Sequence, residues 1–476
     1  MFTVFNEELD RTAREIRDRH QAFARGDWSD AGLAEHQLRE LRRTLAYVKE
    51  KSPFYARHLA RVEPGALTST APEQLATVPF TTKDDLRREF ENVLSLPLSK
   101  AWIFYETTGT TGRSTPCPRD NTDSLHNNTA LTVYYDTIFR QFGDEQVIGV
   151  SGPTELHAFG DTFGDVCRNL GHAVAKMWPH SPMVGYDRAL ETLRVLPATG
   201  LFSTPGMALS LAKKAYAAGL HPRRDFHLDV VMCTGELASP SLLANIGEVW
   251  GAKVYNALYA SQEASVMGAA GADGALYTAP LLNLYEVIDP DTGHAVAPGA
   301  DGVRTGELVV TSLYQGSKPL VRYRTGDLVR LGPAAAGRTL PAPTLEVLGR
   351  TRDLLHIGEG HISGYDLEEL LLTHPRGYLD YQIVIDAVDG QDELTLHLET
   401  PPADGAGDGV RVDEDAIARA VRERLGVPTR FAYGPTSSVT TTGAMVSWKA
   451  ARVEDRRSAP DQERAAALAV AGGRAQ

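Results

Sequence analysis

Apolar residues recur at three- to five-residue steps near the start of the chain, with arginine and glutamate between them. The clearest series is Leu33, Leu38, Leu41, Leu45 and Val48. This spacing places apolar side chains on one face of a helix. We therefore expect helix over residues 6–50, ended by Pro53, whose ring cannot continue it. A second helix start is predicted at Thr82, an N-cap residue with Asp85 at the position of a capping box.

Between about residues 145 and 260, short apolar runs alternate with stretches long enough to be helices. The runs are 147–150, 201–203, 230–233 and 254–258. Strands separated by helix-length segments indicate a layered α/β core.

Further along, residues 305–349 contain apolar runs separated by glycine and proline. These runs are 307–313, 320–323, 328–331 and 345–348. Short strands between turn residues favour antiparallel β structure. The fold class that we expect is α/β, with a β-barrel-like subdomain inside a large N-terminal layered domain.

A domain boundary is predicted near residue 350. After it come a helix around 365–372 and a hairpin in which Ile383 and Ile385 face Leu394, Leu396 and Leu398. Asp389-Gly390 is a turn-forming pair, and a further helix is predicted over 414–425. We expect an N-terminal domain at 1–350, a small mobile α+β lid domain at 351–457 and a flexible tail at 458–476.

Composition narrows the function of the chain without identifying it. Its 476 residues carry a net charge of -13, which argues against a nucleic-acid binder or a partner of anionic membranes. No apolar run suits a membrane span and no signal peptide is evident, so we expect a cytoplasmic protein. The three cysteines are too sparse for a disulfide framework. Neither a Gly-x-Ser-x-Gly nucleophile nor a His-Glu-x-x-His metal motif occurs.

The densest chemical signal is the Thr/Gly segment Thr107-Thr-Gly-Thr-Thr-Gly-Arg-Ser-Thr115. Its backbone N–H groups and hydroxyls offer many donors with little side-chain bulk, as a polyphosphate requires. The ending of a Walker A loop is absent. A flexible surface loop is the alternative. The candidate phosphate-binding residues are Thr107, Thr108, Gly109, Thr110, Thr111, Gly112 and Arg113.

Further motifs follow this segment in a fixed order. They are Thr234-Gly-Glu-Leu237, Tyr259-Ala-Ser-Gln-Glu263, Tyr323-Arg-Thr-Gly-Asp327, Gly349-Arg-Thr-Arg-Asp353 and Lys449. Together they resemble the motifs of the AMP-forming adenylating enzymes, which include acyl-CoA synthetases, adenylation domains and luciferases. Two phrases, Ser52-Pro-Phe-Tyr55 and Thr81-Thr-Lys-Asp-Asp85, resemble the phenylacetate-CoA ligase branch.

The resemblance implies a role for each motif. Glu263 would hold Mg2+ against the phosphates of ATP, and Lys449 would bridge the acid and the α-phosphate. Arg352 would be the hinge between the two catalytic steps. The remaining nucleotide contacts implied are Gly235, Glu236, Leu237 and Tyr259 on the adenine side, and Asp327 with Arg350 at the ribose. Departures from the family pattern are Arg113, Gln262, Arg352 and Trp448.

The acid-binding region implied by the resemblance carries polar residues. His157, Asp161 and Ala260 are the candidates, with Glu155 nearby, and their polarity favours a hydroxy- or amino-substituted benzoate. Coenzyme A is the expected acceptor, and an aromatic acid is the expected small-molecule partner. A homodimer is compatible with the sequence. The alternatives are transfer to an amine or hydroxyl in natural-product biosynthesis, and a nucleotide-binding protein without catalysis.

Overall fold

A computed structural model of the chain describes residues 6–107, 115–402, 409–436, 447–457 and 462–465. The α-helices are α1 (Glu7–Ala24), α2 (Asp30–Lys51), α3 (Pro53–His58), α4 (Pro72–Leu75), α5 (Lys83–Glu89), α6 (Asn121–Phe139), α7 (Ala158–Asn169), α8 (Gly185–Val195), α9 (Pro205–Ala217), α10 (Pro222–Asp225), α11 (Pro240–Trp250), α12 (Gly364–Leu372), α13 (Glu414–Leu425) and α14 (Trp448–Arg452). Short 3-10 helices occur at Pro64–Ala66, Phe90–Val93, Leu98–Lys100 and Thr351–Asp353.

Between these helices run the strands. They are β1 (Ile103–Glu106), β2 (Pro116–Arg119), β3 (Val147–Ser151), β4 (Ala173–Lys176), β5 (Gly200–Ser203), β6 (Val230–Thr234), β7 (Lys253–Ser261), β8 (Ser265–Ala270), β9 (Leu276–Thr278), β10 (Asn283–Ile288), β11 (Arg304–Ser312), β12 (Tyr323–Gly332), β13 (Thr344–Arg350), β14 (Leu355–Ile357), β15 (Gly360–Ile362), β16 (Asp380–Val388), β17 (Gln391–Glu399), β18 (Thr429–Tyr433) and β19 (Val453–Asp455).

The N-terminal helical region differs from its prediction in one respect. The single helix expected over 6–50 is wrong, because α1 and α2 are separate helices with their own N-caps, Asn6 and Ser29. Gly26 lies between them with a φ of 80°, a left-handed conformation that ends a helix. The predicted start of α5 is confirmed, since Thr82 and Asp85 form a capping box.

The chain divides into two compact units. The first comprises Met1–Asp144, Pro153–Gly171 and Leu258–Val347. Its sheet has the strand order β10-β11-β12-β13-β9-β8-β7, and β1 pairs with β2 in a separate hairpin. Apolar side chains from α2, α3 and α5 pack with those of this sheet in one buried cluster.

The antiparallel β structure predicted around 305–349 is confirmed, with two corrections. Residues 320–322 lie outside a strand, so only Tyr323 of the run expected at 320–323 belongs to β12, the strand that also contains the run expected at 328–331. Among the described residues of this unit, the strands of the main sheet form an open row. They do not close into the barrel that the sequence predicts. The mixed α/β class that the sequence predicts is confirmed.

The second unit comprises Glu145–Gly152, His172–Ala257 and Leu348–Gln476. Strands β6, β5, β3 and β4 lie side by side in that order and are parallel. A second sheet has the order β18-β17-β16-β19. The predicted hairpin is confirmed, because Ile383 pairs with Leu396 and Ile385 with Leu394, and Asp389 and Gly390 both have positive φ.

One buried apolar cluster holds the second unit together. It joins residues of α8, α9 and α11, such as Leu211 and Ile246, to residues of the C-terminal segment, such as Leu367 and Ile383. The predicted division at residue 350 stays a prediction, although the segment Leu348–Gln476 enters this unit as one piece. Within the described residues, no helix combines the length and the apolar character that crossing a membrane requires.

Candidate active site

The Thr/Gly segment is described only at its two ends. Its residues Thr108, Gly109, Thr110, Thr111, Gly112 and Arg113 lie outside the described residues. The backbone N–H of Thr107 donates to the carbonyl of Thr115 at 3.1 Å, and that of Thr115 donates to the Thr107 hydroxyl oxygen at 2.8 Å. Both residues are buried. The ends of the segment are therefore fixed side by side at the hairpin of β1 and β2.

Glu263 lies in the tight connection between β7 and β8. The Ser261 hydroxyl oxygen accepts from the backbone N–H of Ala264 at 3.0 Å, and Ser265 has a φ of 58°. A short loop followed by a left-handed residue is a common hairpin geometry. The carboxylate of Glu263 is buried, with 7% of the residue exposed. The turn thus holds a buried charge in a defined place.

Lys83 brings a cation to Glu263. It is the first residue of α5, directly after the N-cap Thr82, and its Nζ lies 2.7 Å from Glu263 Oε1. The contact is an ion pair rather than an aligned hydrogen bond, since Oε1 has no partner of good hydrogen-bond geometry. Burial would raise the pKa of Glu263, but Lys83, assisted by Lys318, outweighs it and lowers the pKa below its ordinary value.

The two segments that resemble the phenylacetate-CoA ligase branch contact each other. Tyr55 ends the first segment, and its hydroxyl oxygen accepts from the Thr81 hydroxyl at 3.3 Å and from the Val321 N–H at 3.1 Å. Thr81 also pairs with Tyr323 in a parallel bridge. This clamp fixes the start of α5, and with it Lys83, against the sheet.

Asp327 projects from an irregularity in β12. Three residues of this strand, Thr325 to Asp327, stand opposite the single residue Leu308 of β11. The buried carboxylate of Glu307 accepts from the Gly326 N–H at 3.2 Å, and Gly326 has a φ of 75°. A bulge of this kind turns a side chain away from the regular alternation of the strand.

Tyr259 and Asp327 are brought together from separate motifs. The Tyr259 hydroxyl donates to Asp327 Oδ2 at 2.6 Å. Burial and the nearby carboxylate of Asp327 raise the pKa of Tyr259 well above its ordinary value, so the hydroxyl keeps its proton and remains a donor. The Tyr259 side chain therefore orients the carboxylate of Asp327. The family resemblance implies that this carboxylate binds the ribose hydroxyls.

Two of the predicted acid-binding residues share one neighbourhood, which we call the Tyr105 cluster: Tyr105, Arg119, His157 and Asp161. The Tyr105 hydroxyl donates to Asp161 Oδ2 at 3.2 Å, and the Arg119 guanidinium lies 5.0 Å from the centre of the Tyr105 ring. His157 caps α7 by accepting from the Phe159 N–H. Burial, with the charge of Arg119, lowers the pKa of His157 to about 4, so this imidazole is neutral at pH 7.

Two further candidates for the acid-binding region are exposed. Glu155 accepts from the hydroxyl of its neighbour Thr154 at 2.9 Å, and its place in the pocket stays a prediction. Ala260 is exposed on β7.

The predicted adenine-side turn follows β6 in the second unit. Gly235 has a φ of 85°, a conformation that favours glycine. The Glu236 carboxylate accepts from the Gly206 N–H in the first turn of α9 at 2.9 Å. Leu237 lies beside Gly349. Glu236 therefore fixes the turn to α9 through its side chain.

Lys449 lies on α14, also in the second unit. Ser447 caps this helix, and the lysine occupies its first turn. The indole N–H of Trp448 donates to Glu368 Oε2 at 2.7 Å. The same carboxylate also accepts from Tyr381. Trp448 is therefore anchored to a buried acid and fixes the backbone next to Lys449.

The predicted hinge motif lies at the end of β13 and in the 3-10 turn that follows it. Arg350 is exposed at the end of β13, and Arg352, in the 3-10 turn that follows, has a half-exposed side chain 3.7 Å from Asp353. Gly358 begins the turn between β14 and β15 with a φ of 59°. A Cβ atom at Gly358 would meet the Leu425 carbonyl oxygen at 2.4 Å, so only glycine fits there.

Sequence reasoning missed several residues of the first unit. Lys83 belonged to a segment that resembles the family, but no role was predicted for it. Tyr105, Arg119 and Lys318 were not identified. Lys318 lies 3.5 Å from Cys117 Sγ and acts electrostatically on Glu263. The only local signal was that Lys83 directly follows Thr82, the N-cap residue of the predicted capping box. The other contacts arise from the fold.

Comparison with known proteins adds an independent finding. No family model matches the chain. The chain is 29% identical over 427 residues to phenylacetate-coenzyme A ligase of Thermus thermophilus, which covers 85% of the chain and 91% of that protein. It is 27% identical over 380 residues to the enzyme of the same name from Pseudomonas putida, covering 77% of the chain and 82% of that protein.

The fold is also that of a solved ligase. A structure of 2-hydroxyisobutyryl-CoA ligase in the postadenylation state, in complex with 2-HIB-AMP, matches with a TM-score of 0.71 and 23% identity over 91% of each chain. At this identity the match supports the fold alone. Together with the sequence matches, it agrees with the resemblance that the motifs indicated. The chain therefore resembles the phenylacetate-coenzyme A ligases in sequence over most of its length and shares the fold of the solved ligase.

Proposed function

We propose that the protein is an AMP-forming acid ligase that activates an aromatic carboxylic acid with ATP and transfers the acyl group to coenzyme A. The observation that carries the proposal is the charged centre of the first unit. There Lys83 and Lys318 flank the buried Glu263, while Tyr259 holds Asp327. These residues come from the family motifs and their surroundings, and likeness over 427 residues supports the same activity.

Nucleotide binding is assigned to the first unit's motifs. A Thr/Gly segment with pinned ends offers N–H and hydroxyl donors to phosphates. Asp327 accepts from the ribose hydroxyls, for which a carboxylate has two oxygens. Because Tyr259 already donates to Oδ2, the carboxylate is oriented before the nucleotide arrives.

The residues present fit one magnesium ion carried in with ATP. Within the described residues, no group of three or more histidine, cysteine, aspartate or glutamate side chains could form a complete metal cage. Mg2+ in nucleotide enzymes is commonly held by one or two carboxylates and by the substrate phosphates. Glu263, whose Oε1 lacks an aligned hydrogen bond, would supply that carboxylate. Bound there, the ion would neutralise phosphate charge.

The reaction has two steps. An oxygen of the acid carboxylate bonds to the α-phosphorus of ATP as the bond to pyrophosphate breaks, and the thiol sulfur of coenzyme A then bonds to the acyl carbon as AMP leaves. In the first step two anions must approach, so positioned positive charge contributes most. We assign this role to Lys449, a compact cation on α14 next to the anchored Trp448.

The acid-binding role is assigned to the Tyr105 cluster. Tyr105 supplies an aromatic face, whereas the Asp161 carboxylate and the neutral imidazole of His157 supply hydrogen-bonding groups at its border. An aromatic acid is consistent with the names of the sequence relatives. The polar border favours a hydroxy- or amino-substituted benzoate over an unsubstituted acid.

The test is acid-dependent release of pyrophosphate, with products followed by mass spectrometry. Purified protein is incubated with ATP and Mg2+, with or without coenzyme A, and with phenylacetate, benzoate or a set of hydroxy- and amino-benzoates. We expect an aryl-CoA thioester and AMP, with a substituted benzoate preferred. Release that ignores coenzyme A and gives no thioester contradicts the acceptor, and no release with any acid contradicts the ligase activity.

A further inference from the structure

Lys318 is held in a fixed position in the connection between β11 and β12. The preceding residue, Ser317, is buried, and its N–H and hydroxyl both donate to Asp123 Oδ2, at 3.1 and 2.8 Å. A Cβ atom at Gly316 would meet Asp123 Oδ1 at 1.8 Å, so the backbone packs directly on that carboxylate. The lysine therefore projects from an anchored segment and not from a loose surface loop.

The ammonium group of Lys318 makes no direct ion pair within the part of the chain that the structure describes. Its Nζ lies 3.5 Å from the Pro116 carbonyl oxygen and 3.5 Å from Cys117 Sγ. Burial holds the pKa of Cys117 above its ordinary value, so the sulfur is a thiol and not a counter-ion. The carboxylate of Glu263 acts on Lys318 at longer range. A partly buried ammonium without a direct ion pair is costly unless a ligand supplies an anion.

Lys318 also stands beside the Thr/Gly segment. Pro116 and Cys117 begin the strand that leaves this segment, directly after Thr115. The Thr115 hydroxyl is buried and makes no hydrogen bond within the described residues. A cation without a direct ion pair and an unpaired hydroxyl thus occur together at the described end of the segment.

Two lysines of the first unit act on the same buried carboxylate, although the chain as a whole is acidic. Lys83 and Lys318 both lower the pKa of Glu263. The net charge of the whole chain is -13. Ammonium groups gathered around one site favour binding of a polyanion.

We propose that Lys318 is a phosphate-binding residue whose ammonium contacts the β- and γ-phosphates of the nucleotide and the pyrophosphate that leaves. This inference rests on the proposed function, because it names a further residue of the same nucleotide site. Lys318 supplies, from the connection before β12, a point charge that the Thr/Gly segment itself lacks, since that segment carries Arg113 and no lysine.

The experiment measures binding without catalysis. Isothermal titration calorimetry with ATP, inorganic pyrophosphate and AMP, in the absence of any acid, compares the wild-type chain with Lys318→Met, Lys318→Arg and the exposed control Lys51→Met. We expect Lys318→Met to weaken ATP and pyrophosphate binding about 10- to 100-fold and AMP binding less than about threefold, as expected for a lost charged contact. Lys318→Arg should retain most of the affinity, and Lys51→Met should bind as wild type.

A Cys117→Ala variant separates charge from packing, since it alters the neutral neighbour of Lys318 and keeps the ammonium. We expect its ATP affinity to stay within about threefold of wild type, because a thiol supplies no charge. Thermal unfolding of each variant checks that it folds. Unchanged ATP binding in folded Lys318→Met, or equal losses for ATP and AMP, would overturn the proposal. If Lys318→Met does not fold, unchanged ATP affinity at raised salt in the wild type would overturn it equally.

These outcomes separate the inference from the proposed function. A wild-type chain that binds pyrophosphate through Lys318 but releases none with any acid refutes the ligase activity and leaves the phosphate site in place. A chain that makes an aryl-CoA thioester while folded Lys318→Met binds ATP normally refutes the phosphate site alone. A wild-type chain that binds neither ATP nor pyrophosphate refutes both.

Discussion

Lys83 Nζ lies 2.7 Å from Glu263 Oε1, so the first residue of α5 neutralises a buried carboxylate in the hairpin between β7 and β8. The pair keeps Glu263 ionised in spite of its burial. If Mg2+ enters with ATP, Glu263 would be the carboxylate that holds it, and the ion would neutralise phosphate charge.

Replacing Lys83 by methionine should therefore change the pH dependence of pyrophosphate release. Without the lysine, burial acts on Glu263 with only Lys318 and a backbone hydrogen bond opposing it, so the pKa of Glu263 rises and the acid limb of the profile moves to higher pH. We expect the rate at pH 7 to fall at least about tenfold. A profile that matches the wild type, with Lys100→Met as the exposed control, would refute this role.

Removing the hydroxyl of Tyr259 should weaken nucleotide binding more than turnover. The Tyr259→Phe variant loses the 2.6 Å donor that orients Asp327. Hydrogen bonds to charged groups contribute about 1.5–3 kcal/mol, so KM for ATP should rise about 10-fold or more while kcat changes little. The matched control is Tyr433→Phe, since that hydroxyl also donates to a carboxylate, Glu414, but at an exposed position. A loss confined to kcat would contradict the prediction.

Lys449→Ala separates the two half-reactions. We expect adenylation to fall by about 10²–10³, because one charged group that acts in the transition state is lost. Conversion of a supplied acyl-adenylate and coenzyme A to the thioester should remain nearly intact. The control Arg456→Ala removes an exposed cation of the same segment that pairs with Glu454. An equal fall in both half-reactions would show that the assigned role is wrong.

Two buried histidines of the first unit predict acid sensitivity. Burial, with Arg19 nearby, lowers the pKa of His20 to about 3, and burial lowers that of His36 to about 4, with Glu40 opposing. His36 Nδ1 lies 2.8 Å from an Arg39 nitrogen, which suits a neutral ring that accepts a hydrogen bond. The unfolded chain takes up protons below pH 6.5, whereas the folded chain does not until about pH 4 or 3.

Stability is thus greatest above pH 6.5 and is lost as the pH falls through the window from 6.5 towards 4 and 3. Between pH 6.5 and 5 we expect the free energy of unfolding to drop by roughly 2 kcal/mol for each histidine. Urea unfolding at several pH values measures this slope. His20→Gln and His36→Gln should each flatten it, and an unaltered slope in both variants would contradict the prediction.

Glu368 is expected to be a main stabilising residue of the second unit. Its buried carboxylate accepts from the Ser239 N–H and the Trp448 indole, both at 2.7 Å, and from Tyr381. Glu368→Ala leaves these donors unpaired, at about 1–3 kcal/mol each, so a loss of about 3 kcal/mol or more is expected. Glu368→Gln keeps an acceptor and should lose clearly less. Chemical denaturation measures both, and equal losses would contradict the explanation.

Elements determined by neighbouring residues were predictable from the sequence. The helix over 414–425 and the turn at Asp389-Gly390 appear as expected, because periodicity, an N-cap and positive φ are properties of a few adjacent residues. The capping box of α5 is local in the same way. In contrast, the break between α1 and α2 lies within a chain that is amphipathic on both sides.

Contacts made across the fold were not predictable from the pattern. The bulge in β12 depends on Glu307 of the neighbouring strand, and no pattern within the strand itself indicates it. The motif residues Glu263 and Asp327 were identified through family resemblance. Lys83 and Lys318 carry no pattern of their own, since an isolated lysine near a turn is usually a solvated surface group.

The bulge in β12 limits how this chain can change in evolution. Strand residues alternate between faces, so deleting one residue of Thr325–Asp327 would reverse every position that follows. Val329 and Leu331, now buried, would then face outward and Arg330 inward. Loss of Asp327 by deletion would therefore also disrupt the sheet, whereas loss by substitution would not. Relatives that have lost catalysis should therefore keep the length of this strand and differ from it by substitutions, not by deletions.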